Sequence, residues 1–118
     1  MADKDALGRR GEQLAADYLQ GLGLRIVERN WRCSLGEIDL VARDGSETVF
    51  VEVKTRAGLG YGHPLESITA VKLARLRRLA AAWCEAHPEH GGSIRIDAVA
   101  IVAPRGGAVQ IEHLRRVF

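Results

Sequence analysis

Three side chains with catalytic chemistry lie in two neighbouring segments of the sequence: Asp39 in the first, Glu52 and Lys54 in the second. Carboxylate oxygens are the ligands that Mg²⁺ and Mn²⁺ prefer in proteins. Such an ion lowers the pKa of a bound water and stabilises charge on a phosphate. A nearby lysine positions or deprotonates the attacking water, or neutralises the developing charge. Together these residue types would allow metal-assisted hydrolysis of a phosphodiester bond.

The segments that carry these residues, Gly36–Arg43 and Thr48–Thr55, alternate between apolar and polar positions as strands do. Asp44-Gly45 between them is a strong hairpin-turn signal. In the second strand, Glu52 and Lys54 share one face, roughly 7 Å apart along the strand. The opposite face carries Val49, Val51 and Val53 and is expected to be core.

The register of this hairpin decides whether the carboxylates meet. A two-residue turn at Asp44-Gly45 places Asp39 opposite Phe50 and makes Asp39 and Glu52 diagonal neighbours, roughly 7–8 Å apart at Cα. A three-residue bulged turn places Asp39 directly opposite Glu52. A slip of one residue separates the two to opposite faces, because side chains alternate along a strand.

An alternative interpretation of the same residues is an ordinary surface hairpin with a solvated Glu–Lys ladder. The apolar residues that flank the charges favour a central strand instead, because an edge strand in water has less need of valine, isoleucine and phenylalanine. The spacing alone does not decide between these interpretations.

The other periodic segments predict the elements that position this hairpin. They are a helix over Leu7–Leu22, a strand over Leu24–Trp31, a helix from an N-cap at Thr69 to a stop at His87-Pro88, and strands over Ile94–Val102 and Ala108–Leu114. The order is α-β-β-β-α-β-β, which predicts an α/β fold with a mixed sheet and flanking helices.

The composition is that of a globular protein. The 118 residues fit a single domain, 1–118, and are 47% hydrophobic and 27% charged, with a net charge of +2. No apolar run approaches the roughly 18 residues of a membrane span, and the N-terminus lacks the apolar stretch of a signal peptide. Cys33 and Cys84 have no metal-binding spacing. We therefore expect a cytoplasmic protein with no membrane partner.

Charged residues are grouped along the chain. Carboxylates gather at Glu37, Asp39 and Glu52, and basic residues cluster at Arg9 and Arg10, at Arg75, Arg77 and Arg78, and at Arg115 and Arg116. A basic rim around an acidic focus suits a nucleic-acid backbone bridged by metal ions. The alternative is a set of solvated faces.

Three basic residues near the predicted site are candidates for nucleic-acid binding: Arg56, Lys72 and Arg75. Lys72 continues the predicted buried stripe of the second helix, so its amine must reach solvent or an anion. We hypothesise that Lys72 extends toward the carboxylates or a bound phosphate. Simple snorkelling at the helix end is the alternative.

The residues also resemble a known pattern. Asp39, twelve intervening residues and then Glu52-Val53-Lys54 resemble the PD-(D/E)XK nuclease signature. The wider sequence resembles the YraN-like family of small bacterial endonuclease-like proteins, through GRRGEQLAADYL, RNWRCSLGEIDLVARDG, TVFVEVKTR and KLARLRRLAAAW. Ile38 stands where the signature has proline, a position that varies in this superfamily.

This resemblance implies a restriction-endonuclease-like fold similar to that of archaeal Holliday-junction resolvases, which cut branched DNA as dimers. It implies Asp39 and Glu52 as ligands of Mg²⁺ or Mn²⁺, Lys54 as the catalytic lysine, and Glu12 as an additional acidic metal ligand. The expected activity is cleavage of DNA, with branched or damaged DNA as candidate substrates and a homodimer as the candidate assembly. The rival functions are a nucleic-acid-binding module that does not cut, and a subunit active only with a partner.

Overall fold

Two helices and five strands account for the regular structure within residues 2–58, 60 and 62–117, which the computed structural model describes. The elements are α1 (Ala2–Gly21), β1 (Arg25–Cys33), β2 (Gly36–Asp44), β3 (Glu47–Arg56), a 3₁₀ turn (Pro64–Ser67), α2 (Ala70–Ala86), β4 (Ile94–Val102) and β5 (Gln110–Leu114). This confirms the expected order α-β-β-β-α-β-β and is consistent with a restriction-endonuclease-like fold.

The five strands form one mixed sheet in the order β1-β2-β3-β4-β5. Only β3 and β4 run parallel, and their connection contains α2, as a parallel crossover requires. Strand β3 therefore lies at the centre of the sheet. Val49 and Val51 are fully buried on one of its faces and Phe50 on the other. The central-strand interpretation of this segment is confirmed.

Each face of the sheet is covered by one helix, which gives two apolar cores. Ala15, Ala16 and Leu19 of α1 pack on the face that carries Val49 and Val51. The predicted stripe of α2 packs on the other face, and its buried members are Leu76, Leu79, Ala80 and Trp83. Among the described residues, no helix is long and apolar enough to cross a membrane.

Helix α1 approaches the sheet closely at Gly11. A Cβ atom on Gly11 would overlap the side chain of Thr55, whereas a Cβ atom on Gly8 would meet nothing within 4 Å. Glycine disfavours a helix, so its use at the contact point reflects the space available there. This contact sets α1 directly over the strand that carries Glu52 and Lys54.

The hairpin between β2 and β3 has a register that differs from the simplest prediction. The observed partners are Asp44 with Glu47, and the loop is Gly45-Ser46 rather than Asp44-Gly45. Only Gly45 in this loop has a positive φ, +63°. Continuing the pairing of Leu40 with Val51 by one position places Asp39 opposite Glu52, not opposite Phe50. Asp39 therefore lies opposite Glu52, as expected for a bulged turn. The turn nevertheless has two residues, and it lies one position later in the chain than predicted.

A buried ion-pair network fixes this register at the turn. Arg95 Nη1 donates to Asp44 Oδ2 (3.0 Å) and to Glu47 Oε1 (3.3 Å), which face each other across the hairpin. The arginine is held in turn by Asp97, which is fully buried and also bonded to His113 Nε2 at 2.8 Å. Arg116 also donates to both oxygens of Glu47, at 2.8 and 3.0 Å, so two guanidinium groups compensate the repulsion of the facing carboxylates.

We expect Gly11→Ala to lower the free energy of unfolding by about 1–3 kcal/mol, because the new methyl group must displace Thr55 or lift α1. Gly8→Ala is the matched control on the same helix and should raise it by about 0.5–1 kcal/mol through helix propensity. Urea denaturation followed by circular dichroism measures both. Equal shifts in the two variants would show that α1 is not in tight contact with β3.

Candidate functional site

A cavity of about 290 Å³ lies on the α2 face of the sheet, at the junction of β2, β3 and the start of α2. Its lining combines three carboxylates, three cations and four other residues: Glu37, Asp39, Glu52, Lys54, Lys72, Arg75, Gly36, Val53, Leu76 and Leu79. The carboxylates come from the strands, and two of the three cations come from α2. The predicted catalytic residues Asp39, Glu52 and Lys54 therefore meet in one cavity.

Asp39 is tied to the sheet at the point where the β2–β3 ladder opens. The last backbone partners before the site are Leu40 and Val51. Beyond them, the Asp39 side chain takes the place of a strand partner, because its Oδ2 accepts the backbone N–H of Val53 at 2.8 Å. This bond fixes the orientation of the carboxylate beside Glu52.

The two carboxylates interact strongly. Burial raises the pKa of Asp39 from 3.8 to about 8, with the negative charge and the hydrogen bond of Glu52 as further causes. The Val53 N–H opposes this shift but does not cancel it. Near neutral pH, Asp39 therefore keeps a proton, because burial and the neighbouring Glu52 charge both disfavour its ionised form.

Lys54 occupies the same face of β3 two residues beyond Glu52. Burial lowers the pKa of the Lys54 amine, and the positive charges of Lys72 and Arg56 lower it further. Glu52 and Asp39 act in the opposite direction and are weaker. A lysine in this setting releases its proton more readily than one in water, as a base or proton relay must.

The three candidate nucleic-acid-binding residues occupy different places. Thr69 caps α2 as predicted, and its hydroxyl accepts the Lys72 backbone N–H at 3.3 Å. Lys72 and Arg75 thus lie at the start of α2 and line the cavity. Arg56 lies outside the lining and donates to the Thr55 carbonyl at 3.2 Å. Contact of these residues with a phosphate stays a prediction.

Glu12 lies on α1, next to the Gly11 contact, and not in the cavity lining. Its charge contributes to the raised pKa of Asp39, so it is near enough to act on the site. Its Oε1 accepts the side-chain amide of Asn30 at 2.9 Å. Sequence reasoning missed Asn30. The only signal was its residue type, since asparagine tolerates left-handed backbone, and nothing in a strand pattern marks such a position.

The donor set fits a hard divalent cation at Asp39 and Glu52. Two oxygen-donor side chains face each other there without a counter-charge. A divalent cation would take the place of the proton that Asp39 retains. Within the described part of the chain, however, no three metal-binding side chains are grouped closely enough to hold an ion. Glu12 is therefore not part of a completed three-carboxylate cage. Mg²⁺ itself is commonly held by one or two carboxylates together with waters.

Comparison with known proteins identifies relatives along the whole chain. Residues 11–101 match a family described as "Uncharacterised protein family UPF0102". A UPF0102 protein from Beutenbergia cavernae is 57% identical over 99% of both chains. One from Clavibacter michiganensis is 57% identical over 98% of both chains. One from Frankia alni is 50% identical, over 100% of this chain and 98% of the relative.

The Asp39 pKa predicts how stability of the metal-free protein depends on pH. Between pH 3.8 and about 8 the folded protein keeps a proton that the unfolded chain releases, so the free energy of unfolding falls as pH rises through this window. Asp39→Asn removes this contribution. We therefore expect the stability of the variant relative to wild type to increase from about pH 4 to about pH 8.

Urea denaturation in the presence of a chelator, at a series of pH values, measures this difference. Asp17→Asn, at an exposed position of α1, is the matched control and should follow wild type. If Asp39→Asn and wild type gave parallel pH profiles, the Asp39 carboxyl would not carry the retained proton.

Proposed function

The chain belongs to the uncharacterised protein family UPF0102, and from the arrangement of its carboxylates and lysine we propose that it is a metal-dependent nuclease. The proposed reaction is hydrolysis of phosphodiester bonds in DNA, with branched or damaged DNA as the candidate substrates. The proposed cofactor is Mg²⁺ or Mn²⁺. The family name assigns no activity, so the proposal rests on the site.

The observation that carries the proposal is the placement of Asp39 opposite Glu52 in a cavity that also contains Lys54. Facing carboxylates on a central strand pair cost folding free energy, and burial increases that cost. A core of valine or isoleucine would be more stable. Retaining two acids and a lysine at this point is therefore best explained by binding a cation and a phosphate.

Each residue has a distinct role in the proposed reaction. Asp39 and Glu52 hold the ion, and the Val53 N–H keeps Asp39 oriented. The ion supplies Lewis-acid stabilisation of negative charge on the phosphate. Lys54, whose pKa is lowered, takes a proton from the attacking water or stabilises charge that develops in the transition state.

The cations of α2 provide the proposed binding surface for the nucleic-acid backbone. Lys72 and Arg75 line the same cavity as the carboxylates supplied by the strands. An ammonium and a guanidinium in this position attract a phosphate that the carboxylates alone would repel. Substrate and ion therefore support each other's binding. The ion adds positive charge beside the carboxylates, which would otherwise repel the phosphate, and the phosphate adds negative charge that attracts the ion.

The proposal predicts cleavage of DNA that requires both a divalent cation and the three central residues. Wild type with Mg²⁺ or Mn²⁺ is compared with Glu52→Gln and Lys54→Met on four-way junctions, flaps, single strands and duplexes. We expect each variant to reduce the cleavage rate about 100-fold or more. A chelator should abolish cleavage by wild type.

Glu85→Gln, at an exposed position of α2 outside the cavity, is the control for loss of a carboxylate and should cut as wild type does. Cleavage that persists in Glu52→Gln and Lys54→Met would disprove the assignment. DNA binding by wild type without cleavage of any substrate would favour the binding module. Cleavage that appears only after addition of a cell extract would favour a partner-dependent subunit.

A second prediction concerns Lys72 and Arg75. Replacing either by alanine should weaken DNA binding and lower the slope of log affinity against log salt by about 1, because one phosphate contact is lost. Arg25→Ala is the matched control, since Arg25 is exposed and pairs with Arg43 at the far end of the β1–β2 ladder. Fluorescence anisotropy with Ca²⁺ in place of Mg²⁺ measures binding. An unchanged slope in both α2 variants would remove these cations from the interface.

A further inference from the structure

Asn30 has a backbone conformation that its residue type only tolerates. Its φ is +51°, in the left-handed region, although it lies within strand β1. Such a conformation costs a residue with a Cβ atom roughly 1 kcal/mol, and glycine would adopt it at no steric cost. The backbone alone would therefore favour glycine, and the side chain of Asn30 must supply a compensating interaction.

That interaction is a hydrogen bond to the acidic residue of α1. Asn30 Nδ2 donates to Glu12 Oε1 at 2.9 Å. The adjacent Arg29 donates to Gln13 Oε1 at 2.8 Å, so two neighbouring residues of β1 bond to two neighbouring residues of α1. Of the two bonds, only the one from Asn30 reaches a carboxylate.

Asn30 also lies beside the other carboxylate. Arg29 pairs with Leu40 and Trp31 pairs with Ile38, so Asn30 falls between these pairs at the position across from Asp39. Asn30 is thus a neighbour of Asp39 in the sheet, and its side chain bonds to Glu12 on α1. Gly11, the residue before Glu12, lies against Thr55 of β3, and the Glu12 charge is one of the smaller causes of the raised pKa of Asp39.

We propose that Asn30 is a positioning residue that holds Glu12 beside the divalent-cation site of Asp39 and Glu52, an inference that rests on the proposed function. A glutamate side chain has three rotatable bonds and is repelled by the neighbouring acids, so without a donor it extends into water. An amide donor on one oxygen opposes that motion. It leaves the second oxygen available to the ion or to a water that the ion binds.

The test measures Mn²⁺ binding to the metal-free protein by electron paramagnetic resonance, with no DNA present. Asn30→Gly keeps the left-handed backbone accessible and removes the side chain, and with it the amide donor. We expect Asn30→Gly to weaken Mn²⁺ binding about 10-fold, the lower end of what loss of a ligand-orienting partner causes. Gln13→Ala removes the neighbouring bond between β1 and α1 and should bind Mn²⁺ as wild type does.

A double variant separates a positioning role from a general structural one. If Asn30 acts through Glu12, then Glu12→Ala weakens Mn²⁺ binding, and adding Asn30→Gly to Glu12→Ala weakens it no further. Urea denaturation in a chelator should show that every variant used is folded at the titration temperature. Additive losses in the double variant would overturn the proposal, as would equal losses in Gln13→Ala and Asn30→Gly.

The outcomes also distinguish this inference from the proposed function. Normal Mn²⁺ binding by Asn30→Gly, together with weak binding by Asp39→Ala and Glu52→Ala, would overturn the role of Asn30 and leave the metal site intact. Unchanged Mn²⁺ binding in Asp39→Ala and Glu52→Ala would overturn the metal site, and the role of Asn30 with it.

Discussion

The mutual repulsion of Asp39 and Glu52 is the constraint on which the other features of the site depend. The two carboxylates face each other where the β2–β3 ladder opens, on two interior strands of the sheet. Burial makes the charged pair unfavourable, so the metal-free protein retains a proton on Asp39. In the proposed function a divalent cation would take the place of this proton, and its binding would therefore depend on pH.

The same hairpin contains a second pair of facing acids, and the two ends of the hairpin differ in how the charge is compensated. At the turn, Asp44 and Glu47 both contact the guanidinium of Arg95, which is also paired with Asp97. This end is an ion-pair network of protein side chains, and it joins the two strands next to the turn. At the other end, Asp39 and Glu52 have no such shared arginine within the described residues, and they line a cavity. The contrast separates an ion-pair network that stabilises the fold from a carboxylate pair available to a ligand.

Both helices contribute to the site through their first half. Gly11 allows α1 to approach Thr55 closely. Glu12, the next residue, lies on the face of the sheet opposite α2, and its charge acts on Asp39. On the other face, α2 carries Lys72 and Arg75 into the cavity. At the site, α1 contributes the negative charge of Glu12, and α2 contributes the positive charges of Lys72 and Arg75. The strands that carry Asp39 and Glu52 lie between the two helices. A phosphate with its cation fits this polarity, whereas a neutral ligand would leave several of the charges uncompensated.

The sequence by itself determined the element order, the central place of β3, the N-cap at Thr69 and the faces on which Glu52 and Lys54 lie, because periodicity and capping are local properties. It did not determine the register, since several turns fit DGSE and the choice depends on Arg95, which is distant in the chain. The sequence offered two positions for the Lys72 amine, and the tertiary structure placed Lys72 in the cavity that contains Lys54. Only the tertiary structure bonded Asn30 to Glu12, because packing of α1 on the sheet brings this pair together. Long-range contacts of this kind leave no periodic signal in a single sequence, and here they decide how the charges of the site are arranged.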